Sequence, residues 1–116
     1  MKYLLLALIV LFLLPNTIHG YLAQRTGQKE VYENVVVSWY AKGLKNPNAF
    51  TTACWNEFPK GTKFKVTYMG NSVITTCNDR GGFKKMGRFL DLSSGAFKQL
   101  APLSRGLLKV NVEILK

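Results

Sequence analysis

The sequence predicts a mainly β protein, a small barrel of about six short strands with one or two short helices. Two observations carry this. Apolar and polar side chains alternate in several short stretches, the period of a half-buried strand. Turns containing Gly or Pro separate those stretches at short intervals, with one brief helical pattern among them, which argues a barrel rather than a βαβ arrangement. No internal repeat or low-complexity tract interrupts the pattern.

"VVVSWY" (Val35 to Tyr40) is β-branched and aromatic and reads as the first strand. "AKGLKNPN" holds Gly43 and Pro47 and reads as a loop. "AFTTAC" follows as a second strand, and "FPKGT" is a turn with Gly61 free to take positive φ. "KFKVTY" alternates, "MGN" turns and "SVITTC" returns, a hairpin from Lys63 to Cys77. "NDRGGFKKMG" is a glycine-rich loop, and "RFLDL" a short strand. Ser93 or Ser94 is a good N-cap for one or two helical turns over "GAFKQLA", with Phe97 and Leu100 inward and Pro102 as the stop. "LLKVNVEIL" closes the chain as a strand, with Leu108, Val110, Val112 and Ile114 on one face.

Residues 1–20 read as a secretory signal peptide: Lys2, an apolar run from Tyr3 to Leu14, then Pro15 and a small Gly20. The run is shorter than the ~20 residues that span a bilayer, so no stable membrane span is expected after cleavage. An uncleaved anchor is the competing reading. Residues 21–34 read as an extended N-terminal extension and 35–116 as one small domain. In an oxidising compartment Cys54 and Cys77 can bond, and closing that loop stabilises by about 3 kcal/mol in the chain-entropy model. Two free buried thiols are the alternative.

Cleavage also removes His19, the only histidine. That excludes Ser-His-Asp and Cys-His chemistry and His-ligated metal; no metal or cofactor is expected. Proton transfer falls to six carboxylates, of which Asp79 and Asp91 sit where strands break into turns. The formal net charge of +10 favours an anionic partner. Secretion argues against nucleic acid and leaves acidic lipid or an acidic wall polymer. Each lysine taken singly is as well explained by a solvated surface.

"SWY", then "TAC" before "PKGTKFKVT", then "NDRGGF", "GRFLDLSSGAFKQLA" and "GLLKVNVEIL" together resemble the double-psi β-barrel family of rare lipoprotein A-like proteins, with expansins and barwin-like proteins more distant. The resemblance runs from about Val35 to Leu115. It implies a six-stranded double-psi barrel, secreted to the cell envelope, that engages cell-wall polysaccharide, peptidoglycan first. A monomer is expected. It also implies Asp79 as the catalytic candidate of a lytic transglycosylase and Asp91 as a groove aspartate. The family's histidine before the turn falls on Trp55, or on Cys54 with a one-residue shift. Its upstream glutamate falls near Gly43 or Leu44, and its proline after "NDRG" is Gly82.

Binding or remodelling without efficient cleavage is therefore the first expectation. Asp79 and Asp91 hold sugar polar groups, Trp55 stacks, and Tyr40, Arg80 and Phe83 complete the glycan-binding set. Lytic cleavage with Asp79 as sole acid-base is the alternative, and a barwin-like interaction protein the third. The competing readings are local: an Asx turn onto the Gly81–Gly82 loop for Asp79, a cap on the Ser93–Ala96 turn for Asp91, core packing for the aromatics, and a plug of the barrel end for Phe83.

Overall fold

A computed structural model describes residues 29–116. The expected signal peptide and residues 21–28 of the expected extension lie outside the described residues. Six strands form a closed barrel in the order β1-β5-β2-β4-β3-β6. They are β1 (Glu30–Tyr40), β2 (Thr51–Ala53), β3 (Lys63–Tyr68), β4 (Asn71–Asp79), β5 (Arg88–Ser93) and β6 (Leu108–Leu115). One helical turn, α1 (Ser94–Lys98), and two 3-10 turns (Gly82–Met86 and Leu103–Arg105) complete the fold.

The alternation read from the sequence sets the inner face. Phe64 and Val66 of β3 and Val112 of β6 are fully buried, and Lys63, Lys65 and Lys109 between them stay outside. The β3–β4 hairpin turns through Met69 and Gly70, both with positive φ (45° and 84°). Positive φ at both central residues is the type I′ geometry whose twist matches the paired strands.

Three strand ends differ from expectation. β1 begins at Glu30, inside the stretch expected to lead into it, because Glu30 to Tyr32 pair with Val112 to Ile114 of β6. β2 is only Thr51–Ala53, since the carbonyl of Ala49 is taken by the Ser93 hydroxyl at 2.6 Å. β4 runs on through Asn78 and Asp79, which were expected in the loop. In each case a partner distant in sequence supplies or removes the backbone hydrogen bonds, and local periodicity carries no signal of that.

Ser93 caps α1, its Oγ accepting from Ala96 N at 3.2 Å, while Phe97 and Leu100 point inward as expected. The loop before β2 rests on this cap. Gly95 N donates to the Pro47 carbonyl at 2.8 Å. A Cβ on Gly95 would stand 2.4 Å from the Asn48 oxygen, so only glycine fits there. Cys54 and Cys77 are bonded, tying the end of β2 to β4.

Gly95→Ala should therefore destabilise the barrel by about 1–3 kcal/mol through overpacking against a backbone that cannot retreat; a denaturant melt measures it. Thr75 faces the interior with a hydroxyl that has no hydrogen-bond partner among the described residues. Thr75→Val removes that unmet donor at nearly constant shape and should stabilise by about 1 kcal/mol in the same assay.

Candidate functional site: a row of polar residues across four strands

The ladder registers bring Asp79 and Asp91 into one row. Ser38 of β1 pairs with Asp91 of β5. Asp91 pairs with Ala53 of β2, and Ala53 pairs with Asp79 of β4. Residues directly opposite one another project to the same side of a sheet, so this row presents two carboxylates on one face. Two strand spacings separate their backbones by about 9–10 Å, a sugar-sized span.

Neither aspartate would stand there in a regular ladder. Thr52 pairs with Cys77, yet Ala53 pairs with Asp79, so Asn78 is an extra residue in β4. Val36 pairs with Arg88, yet Val37 pairs with Leu90, so Phe89 is an extra residue in β5. Both insertions lie in parallel ladders, where bulges are rare, and each shifts the alternation by one just before an aspartate. Phe89 and Leu90, adjacent in sequence, are consequently both buried, and Asp91 turns outward.

Each carboxylate has a different environment. Asp79 Oδ2 accepts from the Tyr40 hydroxyl at 2.7 Å, and Oδ1 accepts from the Arg80 backbone N–H at 2.8 Å. The expected turn onto Gly81 and Gly82 is thus replaced by Arg80 N and a phenol from β1. Asp91 Oδ1 accepts from the Ser38 hydroxyl at 2.8 Å, and its other oxygen has no partner among the described residues. It does not cap α1; Ser93 does.

Burial is the largest cause raising the Asp91 carboxyl above its ordinary range. The Ser38 hydrogen bond and the Arg88 charge pull it down, and the Asp79 charge pushes it up. The Tyr40 phenol is raised more strongly, by burial first and then by its hydrogen bond to Asp79 and the two aspartate charges.

The other expected site residues are placed away from this row or turned inward. The Arg80 guanidinium does not pair with Asp79; its Nη1 donates to the carbonyls of Trp55 and Phe58 (2.6 Å to the latter) and lies 3.2 Å from Cys54 Sγ. Trp55 is half-buried, its indole N–H bonded to the Arg88 carbonyl at 3.0 Å. Its ring packs edge-on against Phe89, and the Lys84 ammonium lies 4.7 Å from the ring centroid. Lys84 in turn pairs with the exposed Glu57. Phe83 is 3% exposed, so its ring serves the interior and offers no open face to a sugar.

Ser38 was not singled out from the sequence. Its only signal is its place in "SWY", two residues before Tyr40, where period two puts both on one face. Among the described residues no cluster of His, Cys, Asp and Glu could hold a metal ion.

A family model described as lytic transglycolase matches residues 32–112. A probable endolytic peptidoglycan transglycosylase RlpA from Nostoc sp. is 42% identical over 72 residues, covering 60% of this chain and 19% of its own length. The endolytic peptidoglycan transglycosylase RlpA of Campylobacter jejuni is 34% identical over 92 residues, covering 69% of this chain and 33% of its own. The chain thus spans a third or less of the length of these two relatives. Among solved structures, the Streptomyces papain inhibitor superposes with a TM-score of 0.60 at 20% identity, over 78% of this chain and 96% of its own. An expansin of Clavibacter michiganensis does so at 0.61 and 19%, over 77% and 51%. These two likenesses establish the double-psi barrel fold.

A carboxyl raised on folding is stabilising while protonated. Its contribution is fully present below the ordinary aspartate range and is lost as pH rises through the raised folded value. Asp91→Asn should therefore melt at or above the wild type near neutral pH, with the gain shrinking as pH falls through the raised folded value and smallest once the ordinary aspartate range is reached. Paired thermal melts across that window check it.

Proposed function

The chain belongs to the lytic transglycolase family of double-psi barrels, and from that premise we propose that it binds and remodels the glycan strands of peptidoglycan at the Ser38–Asp91–Ala53–Asp79 row. The observation that carries this is the shared face of two carboxylates on strands flanking β2, with the Tyr40 phenol on one of them. Carboxylates and hydroxyls on one face can accept from and donate to the hydroxyl and amide groups of an amino sugar. The relatives named as endolytic peptidoglycan transglycosylases support the polymer. The protein acts outside the cytoplasm, as a monomer, and its cationic surface favours a wall that carries negative charge, so binding weakens with salt.

One observation favours cleavage as a second reading. Burial keeps the Asp91 carboxyl raised, which suits a group that must deliver a proton to a glycosidic oxygen. Asp79 has both oxygens occupied by donors, the posture of an acceptor, and suits the proton leaving an attacking sugar hydroxyl. In lytic cleavage that hydroxyl oxygen bonds to the anomeric carbon, the glycosidic bond breaks, and no water is consumed. On this reading the proton donor is Asp91 rather than Asp79.

Co-sedimentation with insoluble peptidoglycan, followed by mass spectrometry of the supernatant, separates these readings. The wild type should sediment with the wall, and Asp79→Asn and Tyr40→Phe should each reduce retention several-fold, the loss expected of one charge-assisted hydrogen bond. Soluble sugar products that disappear in Asp91→Asn would establish cleavage. Neither retention nor products would sink both readings and leave an interaction protein.

A further inference from the structure

Arg80 holds a junction that the proposed chemistry does not itself use. Three segments meet there: the end of β2 with Cys54, the 55–58 loop, and the turn that follows Asp79. The Nη1 atom of Arg80 donates to the carbonyls of Trp55 and Phe58 and contacts Cys54 Sγ. Cys54 N donates to the Asp79 carbonyl at 3.0 Å, and Cys54 is bonded to Cys77, two residues before Asp79. The disulfide and the guanidinium therefore brace the same bulge from two sides. The backbone N–H of Arg80 is meanwhile one of the two donors that fix the Asp79 carboxylate.

Two consequences follow from this arrangement. The cation adjacent in sequence to Asp79 is turned onto backbone carbonyls, so it does not neutralise the carboxylate beside it. The turn at Arg80 cannot rotate without breaking the contacts to Trp55 and Phe58. Orientation of the Arg80 N–H, and with it the Asp79 carboxylate, is thus set by where the guanidinium is anchored. We propose that Arg80 is the positioning residue for Asp79, fixing the carboxylate against Tyr40 by clamping its own side chain to the 54–58 loop. The consequence for glycan rests on the peptidoglycan reading above; the positioning itself does not.

The test replaces the side chain and leaves the backbone donor in place. Tyr40 ionisation, followed by ultraviolet titration of the folded protein and isolated by difference against Tyr40→Phe, reports whether Asp79 still meets the phenol. In Arg80→Gln the ionisation should move down toward the ordinary phenol range. Val112→Ala, a destabilising cavity at a fully buried residue of β6, serves as the control and should leave it where the wild type has it. Arg80→Lys keeps a cation and should fall between. Retention on peptidoglycan should drop in Arg80→Gln by no more than the several-fold loss expected of Asp79→Asn, since one charge-assisted hydrogen bond is misaligned rather than removed.

Unchanged Tyr40 ionisation in folded Arg80→Gln, or an equal shift in Val112→Ala, would overturn the positioning role. If Arg80→Gln does not fold, Arg80→Lys is read by the same criterion. A wild type that fails to bind peptidoglycan while the Tyr40 shift still depends on Arg80 would overturn the glycan reading and keep the positioning.

Discussion

Asp79 shares a face with Asp91, and Asp91 with Ser38, because one extra residue is inserted in each of two parallel ladders. Side chains alternate along a strand, so a one-residue slip moves every following residue to the opposite side. Asn78 and Phe89 are those slips. Without them Asp79 would not lie opposite Ala53, nor Asp91 opposite Ser38. The two insertions are matched in kind: each lies in a parallel pair, each directly precedes or lies two residues before an aspartate, and β2 bridges the two sides. Everything chemical in the row follows from that registration.

The cost of the arrangement is a carboxyl that burial disfavours in its charged form. Ser38 and Arg88 offset part of it, and the neighbouring Asp79 charge adds to it. A barrel selected for stability alone would not hold two acids this close on a half-buried face. The rest of the molecule supplies the compensation. The core is continuous from Val37 through Phe64 and Leu92 to Val112, all fully buried. One disulfide and the Arg80 contacts close the end of the barrel nearest Asp79.

The aromatic residues divide by the same logic. Trp39 and Trp55 both direct their indole N–H to backbone carbonyls, of Leu103 and Arg88, and so satisfy the polar atom that burial would otherwise strand. Tyr40 instead spends its hydroxyl on a carboxylate. An aromatic count from composition treats these rings alike. Their partners make Tyr40 part of the row and the indoles part of the frame.

The sequence by itself determined the barrel class, the inward set of β3 and β6, the hairpin turn, a serine cap at Ser93 or Ser94 and the two aspartates worth attention, and the structure chose Ser93. Those features are local: period two, turn residues and caps act within a few positions. It also held a trace of one bulge, since Phe89 and Leu90 break the alternation just before Asp91. Tertiary structure alone decided the reach of β1 to Glu30, the anchoring of Arg80 away from Asp79, the meeting of Tyr40 with Asp79, and the registration of Ser38 with Asp91. Each of these joins residues far apart in the chain, and which carbonyl or carboxylate a donor meets is fixed by the closed ladder, where a single inserted residue outweighs any local preference.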